Sequence, residues 1–211
     1  MALTSTTRLG IPSKRPGFYI PIKRGFDILA VILLLPFLVP LSLGVALVVF
    51  FDGGRPIVFC QQRTGKHGQA FTLFKFRSMR PDAEKNGALF ASQGDTRVTP
   101  IGNFLRKDRL DELPQFWNVL KNEMSIIGPR PEQVKFAQEF SDSIPLYDLR
   151  HNVKPGITGW AQVRQGYAAG SEETKTKLGY DLHYVKNMSL YLDIKIVLLT
   201  IKTILTGFGS R

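Results

Sequence analysis

The chain has 211 residues, with 28 Lys+Arg against 17 Asp+Glu, a formal charge of +11, and 44% hydrophobic residues. That composition excludes a disordered chain and fits one domain with small appendages better than two thin-cored ones. Cys60 is the only cysteine, which excludes an intrachain disulfide and a multi-cysteine zinc site.

The apolar residues concentrate near the N-terminus. Residues 28–51 carry no charge and are bracketed by Asp27 and Asp52; as a straight helix they extend roughly 36 Å, enough to span a bilayer. A cleaved signal is excluded, because Phe50, Phe51 and Asp52 stand where small residues would be needed. Pro36 and Pro40 each remove an amide donor, freeing the carbonyls of Ile32 and Pro36 and favouring a bend. Arg8, Lys14, Arg15, Lys23 and Arg24 precede the block, and Arg55, Arg63 and Lys66 follow it. Both flanks therefore prefer the cytoplasmic side. A helix that dips in, breaks around Pro36, Val39 and Pro40 and returns satisfies both; a kinked bitopic span satisfies one.

Beyond the block, residues 57–61 and 70–76 read as a β-hairpin. Residues 80–99 are polar and glycine-containing, and read as a mobile connection outside the core. Leu105, Leu110, Leu113, Phe116, Trp117 and Leu120 follow at helical spacing, with Pro114 suited to a first helical turn. Residues 131–140 suggest another helix, Pro155-Gly156 a turn, and 172–186 a charged helix. Residues 189–207 form an amphipathic helix interrupted by Asp193, Lys195 and Lys202; its apolar face suits either the protein core or a headgroup layer.

Among polar features, residues 106–115 stand out: Asp111 and Glu112 adjoin each other among Arg106, Lys107 and Arg109, just before Pro114. Helix amides and the two arginines are expected to lower both carboxylate pKa values. Such a carboxylate can attack phosphorus if cations shield the phosphate oxygens; an ordinary charged helix start has the same composition. Gly128-Pro129-Arg130-Pro131 presents one guanidinium from a stiff turn, in a form suited to phosphate. Residues 154–164 form a glycine-punctuated loop with Trp160. His67, His151 and His183 lack metal-ligand spacing and read as structural or surface residues. There is no Walker loop, Rossmann fingerprint or nucleophile elbow.

The stretches Lys23-Arg24-Gly25-Phe26-Asp27, Phe74-Lys75-Phe76-Arg77-Ser78-Met79, 110–115, Asn118-Val119-Leu120, 124–131 and 154–163 together resemble the bacterial sugar transferases, monotopic polyprenyl-phosphate phosphoglycosyl transferases. The resemblance runs from about residue 22 to the C-terminus and looks like the family's minimal form. It implies an enzyme that moves a sugar-1-phosphate from a UDP-sugar to polyprenyl (undecaprenyl) phosphate and releases UMP, the first membrane step of a glycan pathway. In that scheme Asp111 is the nucleophile and forms an aspartyl-phosphosugar, Glu112 is the second acid, Mg²⁺ is the cofactor held near Asp111, and Arg106 and Arg130 surround the phosphates. Two departures stand out. Val39-Pro40 replaces the family's Ser-Pro at the helix break, and residues 163–166 lack its Asn-Gly-Arg, for which Arg164 is the neighbouring substitute.

The expected architecture is an α/β (α+β), helix-rich, membrane-associated domain with short antiparallel strands, amphipathic interfacial helices and one proline-broken re-entrant helix. Residues 1–22 form a basic tail, 23–52 the membrane helix and 53–211 a cytoplasmic catalytic domain on the inner membrane of a bacterium. Expected partners are the UDP-sugar, polyprenyl phosphate and membrane lipids, with no nucleic acid; a homo-oligomer is left open. Two other classes fit the charge: an anchored binder of nucleic acid or anionic lipid, and an inactive scaffold.

Overall fold

The apolar block forms α1, Tyr19–Gly53, a 35-residue helix. The computed structural model describes residues 18–83, 85, 94–165 and 171–206, so Arg8, Lys14 and Arg15 lie outside it. Helical structure continues through Pro36, Val39 and Pro40. Asp27, Val31, Val45 and Val49 are buried, whereas none of residues 32–44 is.

Both ends of α1 are tied to one body. At the first end Arg24 donates from Nη1 to the Val119 carbonyl (2.7 Å) and from Nη2 to the Leu120 carbonyl (3.1 Å). Asp27 Oδ1 accepts the Ile126 amide at 3.1 Å, and Asp193 Oδ2 accepts the Tyr19 hydroxyl and the Lys23 ammonium at 2.5 and 2.7 Å. At the other end Arg77 Nη2 donates to the Val49 and Gly54 carbonyls (3.3 and 2.9 Å). Asp52 accepts the Thr99 hydroxyl at 2.7 Å.

Strands β1 (Val58–Thr64) and β2 (Ala70–Phe76) form the expected antiparallel hairpin, paired from Val58↔Phe76 to Thr64↔Ala70. Val31 packs with Phe71, Leu73, Val119 and Met124; Val45 and Val49 pack with Phe76 and Leu105. Full burial of such side chains is worth about 1.5–3 kcal/mol each, so the hairpin and α1 hold each other in place.

The helical stretch after residue 100 is not one helix. Helix α2 (Pro100–Lys107), capped by the Thr99 hydroxyl accepting the Gly102 amide at 2.9 Å, gives way to a left-handed Arg109 (φ 56°), a 3₁₀ turn Leu110–Glu112 and α3 (Gln115–Leu120). Of the polar connection 80–99, residues 84 and 86–93 lie outside the described residues. Its described ends are held to the body by a Met79↔Val98 bridge and the Thr99 amide on the Ser78 carbonyl.

Strand β3 (Ser125–Ile127) and β4 (Gly156–Thr158) pair in parallel. This corrects two expectations: the strands are not all antiparallel, and Pro155-Gly156 opens a strand instead of a turn. The reason is glycine contact. A Cβ on Gly156 would lie 2.1 Å from the Gly128 nitrogen, and one on Gly159 2.1 Å from the Gly128 oxygen, so only bare backbone permits the pairing. Gly156→Ala is expected to destabilise the protein by at least about 3 kcal/mol, the upper end of overpacking costs; an unchanged thermal midpoint in detergent would contradict this.

Helix α4 (Val134–Ser143) starts three residues later than expected, because Gln133 is extended and the preceding Glu132 carbonyl binds the Thr64 amide. A 3₁₀ turn (Tyr147–Asn152), α5 (Trp160–Arg164), α6 (Ser171–Asn187) and α7 (Leu190–Thr206) complete the fold. Residues 154–164, read as a loop, thus hold β4 and α5. Helix α7 buries Leu192 and Ile196 against Tyr184 and Ile127, and exposes Tyr191, Ile194, Leu198 and Leu205. Apolar residues thus lie on two sides of α7, one set in the core and the other exposed.

Candidate functional site

Asp111 and Glu112 lie in the 3₁₀ turn, both buried. Left-handed Arg109 turns the chain sharply out of α2, a conformation that costs about 1–3 kcal/mol in a non-glycine residue and accumulates at functional sites. Helical geometry then continues through Leu113 and Pro114 into α3. Asn118 stitches α3 to β2: its Nδ2 donates to the Thr72 carbonyl (2.7 Å) and its Oδ1 accepts the Phe74 amide (3.2 Å). About two turns earlier, this docking sets the two acids against Lys75, whose Nζ is 3.3 Å from Glu112 Oε1 and 3.9 Å from Asp111 Oδ2.

Arg130 closes the cluster, with Nη2 2.7 Å from Glu112 Oε1. Its backbone is clamped at four successive carbonyls. Pro129 O accepts from Gly156 N (2.9 Å), Arg130 O from Arg150 Nη2 (2.8 Å), Pro131 O from Arg63 Nη1 (3.1 Å) and Glu132 O from Thr64 N (2.9 Å). Arg150 is itself fixed by a buried ion pair with Asp181 at 2.8 Å. The guanidinium is thereby held in place before any ligand arrives, the condition under which electrostatic stabilisation is most effective.

The two carboxylates differ electrostatically. Burial alone would raise the pKa of Glu112, but Arg130 and then Lys75 outweigh it and hold this carboxyl well below the usual range. Asp111 moves the other way. Burial pushes it above the ordinary aspartate value; Lys75 opposes the rise, the Glu112 charge adds to it, and Arg106 and Arg130 oppose it more weakly. The expectation that arginines and helix amides lower both is corrected for Asp111, because removal from water dominates and α3 is only six residues long.

Of the other expected site residues, Arg106 donates from Nε to Ser78 Oγ (2.8 Å) and acts on Asp111 through space. Arg164 is held over the Trp160 ring at 5.2 Å; among the described residues no hydrogen bond or ion pair joins it to Asp111 or Glu112. His183 stacks on Trp160, and burial pushes His151 down to about 4, leaving it neutral at neutral pH. Three participants carry no assigned role in the sequence reading: Lys75 and Asn118, which stand only within the stretches that resemble the family, and Arg150. Lys75 had a signal, since it follows Phe71 and Leu73 at alternate positions on β2 and so falls on an inward face.

Among the described residues no three His, Cys, Asp or Glu side chains cluster as a metal site. Glu112 Oε1 is already shared by Arg130 and Lys75. Asp111, whose one ion-pair contact among the described residues is Lys75 at 3.9 Å, is the carboxylate open to a hard cation. Mg²⁺ usually takes one or two carboxylates and completes its shell with water and substrate phosphates, and this donor set fits that pattern.

A family model described as bacterial sugar transferase matches residues 18–207. The chain is 52% identical over 193 residues to the UDP-N-acetylgalactosamine-undecaprenyl-phosphate N-acetylgalactosaminephosphotransferase of Aeromonas hydrophila, covering 92% of this chain and 46% of that protein. It is 43% identical over 182 residues to the UDP-glucose:undecaprenyl-phosphate glucose-1-phosphate transferase of Escherichia coli K12, covering 85% and 39%. It is also 43% identical over 194 residues to the uncharacterized sugar transferase EpsL of Bacillus subtilis 168, covering 90% of both. The chain thus spans less than half the length of the first two relatives.

Proposed function

The chain belongs to the bacterial sugar transferase family, and we propose that it transfers a sugar-1-phosphate from a UDP-sugar to polyprenyl phosphate, releasing UMP. The observation that carries this is the buried Asp111, raised by burial and flanked by Lys75, Arg130 and Arg106. It is a carboxylate with little direct pairing, beside cations that attract phosphate. The names of the two transferases from Aeromonas and Escherichia supply the substrate class.

In the first step a carboxylate oxygen of Asp111 bonds to the phosphorus bearing the sugar, and the phosphorus–oxygen bond to UMP breaks, the electron pair leaving with UMP. In the second a polyprenyl phosphate oxygen attacks the same phosphorus and the bond to Asp111 breaks, restoring the carboxylate. No net proton is required. Glu112 is held too low to carry a proton at neutral pH; its role is to fix Arg130 and Lys75 where the phosphate oxygens arrive. Asp111 would hold Mg²⁺, which supplies charge neutralisation at the diphosphate.

The same reading has α1 dip into the bilayer and return, with the reaction at the cytoplasmic face of the inner membrane, the side that the basic residues on both flanks of the apolar block favour. Two observations support the return. Arg24 and Asp27 before the exposed segment, and Val49 and Gly54 after it, all bond to one body. Only the 13 residues 32–44 separate buried Val31 from buried Val45, fewer than a roughly 20-residue span needs, and Pro36 and Pro40 fall among them, where a bend is favoured. The exposed face of α7 would lie on the headgroups, with Lys195 and Lys202 toward anionic lipid.

Topology is open to a labelling test. Native Cys60 is exposed and reports on the chain after α1. A cysteine at exposed Phe18, in a Cys60→Ser background, reports on the chain before it. Equal reactivity from one side of sealed vesicles is expected, and opposite sidedness would refute the hairpin. For the reaction, a panel of UDP-sugars is incubated with polyprenyl phosphate, with and without Mg²⁺. Lipid-linked product with equimolar UMP is expected for at least one sugar; release of UDP in place of UMP would show cleavage of the sugar bond and refute the scheme.

A further inference from the structure

Gln115 opens α3 and is 1% exposed, yet its amide nitrogen has no hydrogen-bond partner among the described residues. Burying an amide without a partner costs free energy, and an orphan of this kind in a native fold calls for a physical reason. Asn118, one turn further on, is the instructive contrast: its amide is also fully buried, but both its atoms are bonded to β2. The fold can therefore satisfy a buried amide at this surface, and does not do so for Gln115.

Position supplies the reason. Residues 110–120 follow a nearly continuous helical path, so Gln115 stands four residues after Asp111 and three before Asn118, on the face they share. That face is turned to β2, where Asn118 meets Thr72 and Phe74 and Asp111 approaches Lys75. Gln115 lies between the clamp and the acid.

Resting on the reaction read above, we propose that Gln115 is a positioning residue for Asp111, its side-chain N–H held in reserve for the carboxyl oxygen that stays free when the other oxygen bonds phosphorus. The hydrogen bond forms as Asp111 reaches the phosphorus and fixes the carboxyl plane. This is an interaction stronger in the transition state than in the resting protein, the kind that raises kcat and leaves KM unchanged.

The test is Gln115→Met, which keeps the volume and removes the amide. The expected result is a thermal midpoint equal to or above that of the parent, since the orphan donor is gone, with kcat reduced about 10- to 100-fold and KM for the UDP-sugar within about twofold. The burst of UMP in a single turnover without lipid acceptor is expected to slow by the same factor. Parental kcat overturns the proposal, and so does a lowered midpoint with activity falling in proportion, which is the mark of a merely structural side chain. Asp111→Asn is run alongside. If that variant is active, the reaction scheme itself fails; if it is inactive while Gln115→Met matches the parent, only the role of Gln115 fails.

Discussion

Asp111→Asn is expected to lower sugar-phosphate transfer by more than about 10³-fold and to leave the protein folded and membrane-bound. The amide has the same shape but no anionic oxygen to offer phosphorus. Structural loss is small because among the described residues Asp111 has one ion-pair contact, at 3.9 Å, and removing a charge that burial already disfavours relieves part of its desolvation. UMP release and vesicle flotation measure the two halves; retained turnover would remove Asp111 from the mechanism. The parent's acid limb carries the same information. Transfer needs the ionised form, so activity is lost as pH falls through the pKa of Asp111, and burial places that limb of kcat/KM above the ordinary aspartate range.

Glu112→Gln is expected to fail differently, losing stability and activity together. Glu112 Oε1 is the shared acceptor of Arg130 and Lys75, and neutralising it removes the carboxylate that Arg130 pairs with and leaves Lys75 the more distant Asp111, at 3.9 Å. Breaking a buried pair costs about 3–5 kcal/mol; the low end, about 3 kcal/mol, applies because the Arg130 side chain remains 33% exposed. The pH dependence follows in sign. A carboxyl held below its unfolded value stabilises the fold fully above about pH 4.5 and loses that contribution as pH falls through its depressed folded value. The parent should therefore weaken in acid more steeply than the variant. Thermal midpoints from pH 7 down to pH 3 check this, and identical curves would mean that Glu112 does not anchor the cluster.

How much of this was readable beforehand depended on whether a feature is local. The uncharged run between Asp27 and Asp52 predicts α1, because length and polarity alone decide it. The uses of its flanking charges were not readable. Lys23 and Arg24 read as markers of membrane sidedness, but the fold also spends them on Asp193 and on the carbonyls of α3. The hairpin is legible as two β-type runs either side of a polar, glycine-containing segment, yet β1 runs on to Thr64, because Gln62 and Arg63 are held by pairing with Thr72 and Phe71 and not by hydrophobicity. The parallel β3–β4 pair joins three-residue strands through glycine contacts that no periodicity announces. At the site, Asp111, Glu112 and Arg130 were visible as composition. That Arg130 reaches Glu112 across 18 positions and Lys75 across 37 is a property of the docked turn, and so is the opposite electrostatic fate of the two acids.

The most direct measurement is of the bond to Asp111. The protein is incubated with a UDP-sugar that it turns over, without lipid acceptor, then quenched, digested and mapped by mass spectrometry. The account predicts a phosphosugar on the peptide containing Asp111, absent from Asp111→Asn and discharged when polyprenyl phosphate is added before the quench. A phosphosugar on another side chain, or lipid-linked product formed with no adduct at any residue, would contradict it.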